Sequence, residues 1–224
     1  MARTLHKNSQ EWRPGRLLNL LAALWLTLWV SNAAAATSPG TSHYTAENDL
    51  NHCQNSAQIN EQEQRLPRML LSTVSLVETG KWLRSTGENV AWPWTVNARG
   101  QSRYHRTKNA AIAAVKTLQA SGISSIDVGC MQINLHYHPE AFSSLEDAFD
   151  PYTNIAYAAV FLKTLRKKGR SWNKAIGYYH SRTRARYIPY QRKVQNLWKA
   201  ERRRVALERR AKRRTAEART AAEF

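Results

Sequence analysis

The chain is short of acidic residues, of cysteine and of long apolar runs, and each shortage excludes something. Sixteen Asp and Glu stand against 34 Lys and Arg, a formal net charge of +18 over 224 residues. Such an excess attracts polyanions non-specifically. No RNA- or DNA-binding motif accompanies it, so nucleic acid is not the expected partner. The two cysteines, Cys53 and Cys130, form no Cys/His cluster of zinc-finger spacing. His136 and His138 lack an evident third ligand. No metal and no cofactor is therefore expected. No Ser–His–Asp or Cys–His–Asp arrangement stands out among His105, His136, His138 and His180. There is no internal repeat. The longest apolar stretch, residues 17–30, falls short of the ~20 residues a spanning helix needs.

What is present at the amino terminus has an order of its own. Arg3, Lys7, Arg13 and Arg16 precede "LLNLLAALWLTLWV", and "SNAAAATS" follows. Basic, apolar and small-residue segments in that order form a secretory signal. Residues 1–36 are read as that signal, cleaved near Ala34-x-Ala36, with an uncleaved anchor as the alternative. No cysteine sits at a lipid-attachment position, which argues against a lipoprotein. Export places the mature chain in the periplasm, an oxidising compartment that favours a Cys53–Cys130 bridge. In the chain-entropy model, closing so long a loop contributes about 4 kcal/mol. Two separate buried thiols are the alternative.

Residues 37–64 are polar: a flexible start, then a short helix carrying Cys53. The body, 65–198, opens on "RLPRMLLSTVSLVETG", where Leu66, Leu70, Val74 and Val77 share a helical face. Pro67 suits its first turn and Gly80 its stop. "VAWPWTVNARGQSRYH" (90–105) predicts a small hairpin or extended insertion. A helix follows, with Thr107 as cap and Gly122 after its end. "SIDVGCMQINLHYHP" is read as a loop entering an irregular or helical segment. Asp150-Pro151 opens a long helix, Ser171 caps another, and a last helix starts near Tyr187. It runs into a basic tail, 199–224; between 192 and 223 twelve Lys or Arg face four Glu. The fold class is mainly α with one small β element.

Glu78 ends an apolar helix. The unpaired carbonyls of a last helical turn disfavour a carboxylate, and apolar neighbours add desolvation in the same direction. Both raise the pKa, as a general acid near neutral pH requires. An exposed glutamate at a helix end is the plain alternative.

"VETG", "VGCMQIN", "AIGYYHS" and "YQRKV" follow one another in order. Here the sequence resembles the lytic transglycosylases with a soluble-lytic-transglycosylase-type, goose-lysozyme-like catalytic domain, across roughly 50–195. The resemblance implies a lysozyme-like α+β fold and cleavage of the MurNAc–GlcNAc β-1,4 bond of peptidoglycan. It makes Glu78 the single acid/base and the product a 1,6-anhydro-MurNAc end. It places Gln132 in a cleft wall and Tyr179 in the third motif. It sets Tyr190 facing Glu78, with Asn134 a further polar candidate. Three positions depart from the pattern: Thr79 where serine is usual, Cys130 for leucine, and His180 for asparagine.

Other residues carry weaker readings. Asp127 suits a turn or cap better than a second catalytic carboxylate. Glu88 and Glu140 fall on loops. Of the aromatics Trp92, Trp94, Tyr152, Tyr157, Trp172 and Tyr178, core packing is the default, with Trp94 and Tyr178 the first choices for sugar contact. Thr79 is also placed with the substrate-binding set. The tail is either a solvated extension or a contact to anionic membrane or wall polymer. Two other functions compete: a lysozyme-type hydrolase of the same fold, and a noncatalytic wall-binding envelope module.

Overall fold

A computed structural model describes residues 51–222. Local chemistry sets most of its helix starts. Helix α1 (His52–Glu63) is followed by α2 (Leu70–Thr79). Helix α3 (Lys108–Ala120) is capped by the Thr107 hydroxyl, which accepts from Ala110 N. The short α4 (Leu145–Ala148) is capped in the same way by Ser144. Helix α5 (Pro151–Gly169) has Asp150 as cap and proline at its start; α6 (Trp172–His180) has Ser171. These side-chain oxygens satisfy amides that a helix start leaves unpaired. Helix α7 (Arg184–Ala222) runs unbroken past residue 198, through the boundary that the sequence suggested between body and tail.

The start of α2 differs from expectation. Pro67 is not in its first turn: Met69 takes a left-handed conformation (φ 65°) and the helix begins at Leu70. The cap comes from another helix. The buried Glu61 carboxylate of α1 accepts from the amides of Met69, Leu71 and Ser72 at 2.6, 2.9 and 3.1 Å. Negative charge at a helix start is favoured by the helix dipole as well as by these bonds.

The β structure is larger than the sequence suggested. Strands β1 (Gly80–Leu83) and β2 (Glu88–Ala91) form a ribbon directly after α2. A second sheet runs in the order β4 (Gln101–Tyr104), β3 (Thr95–Ala98), β5 (Ile126–Val128), β6 (Ile133–Asn134), all antiparallel. The expected hairpin is its β3–β4 arm. Ala98 pairs with Gln101 across Arg99 and Gly100, both at positive φ, the backbone a two-residue hairpin loop demands. The "SIDVGCMQIN" segment expected as a loop or helix instead supplies β5 and β6.

Two apolar cores result. In the first, Leu70, Leu71 and Val74 of α2 meet Ile155, Ala158 and Leu162 of α5, with Ile176 of α6 and Val194 of α7. Cys53 and Ala57 of α1 are wholly buried in it, so α1 belongs to the body. In the second, Val96, Ile126 and Val128 of the sheet meet Ala111, Ile112 and Val115 of α3. The Cys53–Cys130 disulfide is formed and ties α1 to the loop between β5 and β6. Among the described residues no helix is long and apolar enough to cross a membrane. The expected signal at 1–36 lies outside the described residues.

Candidate active site

Glu78 occupies the last turn of α2, half-buried. Tyr190 of α7 donates its hydroxyl to Glu78 Oε1. The imidazole of His180, at the end of α6, stacks on the Tyr190 ring at 4.6 Å and 6°. Three helices thus converge on one carboxyl. Burial pushes Glu78 up to about 7, and the Asp127 charge adds to the push. The Tyr190 donor and Lys193 work against it. The carboxyl therefore titrates close to neutral pH, the condition for one group to give and then take a proton. Burial, then the Glu78 charge, push Tyr190 well above its ordinary range, so it acts as a donor and not as a base.

The "GCMQ" loop is pinned from several sides. Asn154 of α5 is fully buried; it accepts from Met131 N and donates to the carbonyls of Val128 and Ala148. Gly129 (φ 76°) is required beside it, because a Cβ there would lie 2.4 Å from Asn154 Nδ2. Ser75 and Thr79 donate to the Cys130 carbonyl at 3.1 and 3.2 Å. Tyr179 donates to the Met131 carbonyl at 2.8 Å. Burial and the neighbouring Glu78 and Asp127 charges hold the Tyr179 phenol protonated. Gln132 then sits at φ 48° and ties its amide nitrogen to the carbonyls of Thr95 and Gly129. Its Oε1 is buried without a hydrogen-bond partner among the described residues.

Four residues expected to contact sugar are engaged within the chain in this arrangement. Thr79 is 0% exposed and spends its hydroxyl on Ser75 and Cys130 carbonyls, so it shapes the site and does not line it. Trp94 is 4% exposed within the second core; no ring face is left for a sugar. Tyr178 lies about 100° round α6 from Tyr179 and is partly buried against the first core. It packs edge-on against Tyr187 at 5.3 Å, with the Arg182 guanidinium 5.7 Å from its ring. Asn134 uses both sides of its amide within the chain: it donates to Asp127 and Ser125, and accepts from His136 N and Tyr137 N.

Sequence reasoning missed three groups. Asp127, read as a turn residue, lies on β5 within the electrostatic reach of Glu78 and His180. Lys193 falls three residues after Tyr190, hence on the same helix face, and the "YQRKV" motif contains it. His180, read as a surface or cleft side chain, backs Tyr190; burial and Arg186 lower its pKa, which leaves the ring neutral. Among the described residues no group of three or more His, Cys, Asp or Glu is placed to hold a metal ion.

Residues 98–196 match the family described as the transglycosylase SLT domain. The match takes in Gln132, Asn134, Tyr178, Tyr179 and Tyr190, and begins after Glu78. Neither curated proteins nor solved structures give a match.

Proposed function

From a chain that carries a transglycosylase SLT domain, the lysozyme-like catalytic domain of peptidoglycan lytic transglycosylases, we propose a reaction run by one carboxyl, Glu78. The enzyme is a lyase acting on peptidoglycan. The observation that carries the finer reading is the half-buried Glu78 carboxyl, pushed up to about 7 and held by the Tyr190 hydroxyl.

In its acid form Glu78 gives a proton to the glycosidic oxygen between MurNAc and GlcNAc, and the bond from that oxygen to the MurNAc anomeric carbon breaks. The substrate's own acetamido group supports the positive charge left on that carbon. Glu78, now a carboxylate, takes the proton of the muramyl C6 hydroxyl as its oxygen bonds to the anomeric carbon. The products are a free GlcNAc 4-hydroxyl and a 1,6-anhydro-MurNAc end, with no water consumed. An internal nucleophile replaces a bimolecular step, and effective molarity supplies much of the rate. Tyr190 steers the Glu78 carboxyl through both transfers.

The enzyme acts in the periplasm, exported by the leader at 1–36. Its basic tail contacts anionic membrane or wall polymer: α7 carries Arg202, Arg209, Arg210 and Arg213 beside a cavity of about 830 Å³ that also reaches Trp198 and is not lined by Glu78. Digestion of purified peptidoglycan, with product termini read by mass spectrometry, tests the chemistry. Anhydro ends are expected. Reducing ends would mean a hydrolase, and no cleavage a wall-binding module.

A further inference from the structure

Two contacts fix how α7 runs along α2. At one end Tyr190 meets Glu78, in the last turn of α2. At the other the Trp198 indole donates to the Arg68 carbonyl, just before α2 begins. The helices are therefore antiparallel, and the eight residues from Tyr190 to Trp198 span about 12 Å of α7. Tyr190, the wholly buried Val194 and Trp198 recur every four residues and form one seam. Continued along α7, the seam leads to Arg202, Val205 and Arg209. There it lines a cavity of about 830 Å³ together with the turn at 67–69.

Charge on this stretch of α7 is sorted by side. Arg204 pairs with Glu201 and Glu208 at 2.9 and 2.6 Å. It lies about 200° round the helix from Arg202. Among the described residues none of these three lines the cavity. The lining holds Arg202, Arg209, Arg210, Arg213 and Arg214 from the helix and Arg68 from the turn. Its one acid, Glu217, stands at the far end and pairs with Arg213 at 3.7 Å. Val205, half-buried, and Ala206 put an apolar strip between Arg202 and Arg209. Guanidinium groups take carboxylates and phosphates through paired N–H donors.

Two features choose among the anions such a groove could meet. It is concave, so a flat bilayer cannot bring its headgroups to the floor. Its charges are separated by apolar side chains, which a run of phosphates leaves unused. The peptide stems of peptidoglycan hang from the muramyl residues as narrow, flexible strands that set carboxylates among alanine methyls. Both halves of that pattern find a partner here.

We propose that this groove binds the carboxylate-bearing peptide stems of peptidoglycan. The proposal rests on the peptidoglycan reading above and narrows the partner of the basic tail to the wall. Peptide is then held beside the start of α2 and the glycosidic bond is cut at its end. The helix pair that carries Glu78 and Tyr190 is the frame common to both.

Arg202→Gln with Arg209→Gln removes two guanidiniums from the groove. Arg203→Gln with Lys212→Gln removes the same charge from positions outside the lining. NMR titration of the full chain with the free tetrapeptide stem should show at least ~10-fold weaker binding in the first variant and little change in the second. On soluble glycan chains that bear stems, the first variant should raise KM and leave kcat unchanged. On chains stripped of stems by an amidase, both variants should match the parent. Equal weakening in the two variants would show a response to net charge alone and overturn the groove. Stem binding that is absent in the parent, or unchanged in the first variant, overturns it as well. Should the first variant lose only its binding to phosphatidylglycerol vesicles, the face belongs to a membrane and the proposal falls. A parent that binds the stem through Arg202 and Arg209 yet leaves peptidoglycan uncut keeps the groove and overturns the reading of Glu78.

Discussion

Replacing Glu78 by glutamine should make the protein both inactive and more stable, and the second effect should depend on pH. Burial raises the Glu78 carboxyl from 4.5 to about 7. A carboxyl whose folded pKa lies above its unfolded value binds more protons in the folded state. Its contribution to stability is complete below 4.5 and is lost as pH rises through about 7. At 1.36 kcal/mol per pH unit, the loss above pH 7 is about 3 kcal/mol. Glutamine keeps the shape and an oxygen for the Tyr190 hydroxyl, yet never ionises. At pH 8 the variant should therefore be the more stable protein by up to about 3 kcal/mol, a rise in Tm of about 6–12 °C for a domain of this size. At pH 4 the two should melt together. Other titrating groups are common to both proteins, so the difference between the two curves isolates position 78. Turnover on soluble muropeptides should fall at least ~100-fold, the scale of a positioned acid. Differential scanning calorimetry from pH 4 to 8, paired with a turnover assay, reads both. A Tm difference that does not change with pH would refute the buried, raised carboxyl; near-parent turnover in the folded variant would refute its role.

Three further outcomes follow from the same geometry. Tyr190→Phe removes the donor that favours the Glu78 carboxylate, so the high-pH fall of kcat/KM should move to higher pH; an unmoved profile counts against the contact. Cys53→Ser should cost up to about 4 kcal/mol in urea unfolding, and reductant should do the same to the parent; equal unfolding midpoints with and without reductant would show that the bridge contributes nothing. Deleting residues 199–224 should weaken retention on anionic vesicles or sacculi at low salt, less so near physiological salt, and spare turnover. Trp198, whose indole donates to the Arg68 carbonyl, stays in that deletion; lost turnover in folded protein would place the tail in the active site.

How much of this was legible in the sequence depends on how far away the deciding contact lies. Glu78 in the last turn of α2 was readable because helical spacing and Gly80 are local signals. The caps at Thr107, Asp150 and Ser171 were readable for the same reason. The strands β5 and β6 were not: three and two residues are too few for an alternating pattern to declare itself. With them went the register that turns Asp127 from a turn residue into a strand residue paired with Asn97 and Asn134. Trp94 looked like a loop aromatic in "WPW", since its burial is decided by α3, which follows later in the chain. Thr79 and Asn134 carry the right polar atoms, but partners elsewhere in the fold consume them. Glu61, one acid of several in "NEQEQ", acquires its task only when the start of α2 arrives beside it.

The disulfide, the buried asparagine and the three hydroxyls all act on the same two residues, and this bears on what sets the precision of the site. Cys130 is bonded to α1 through sulfur, and its carbonyl receives Ser75 and Thr79 of α2. Met131 gives its amide proton to Asn154 of α5 and its carbonyl to Tyr179 of α6. The helix that bears Glu78 and the loop that bears Gln132 are therefore referenced to each other directly, through bonds a few residues from each. Four such hydrogen bonds, each worth about 1 kcal/mol net, remain when the sulfur link is cut. The link chiefly limits the freedom of the unfolded chain, whereas the hydrogen bonds fix positions in the folded one. Loss of the disulfide should accordingly lower stability well before it disturbs the geometry around Glu78, and loss of Asn154, which holds the loop from beneath, should do the reverse in proportion to its share of that geometry.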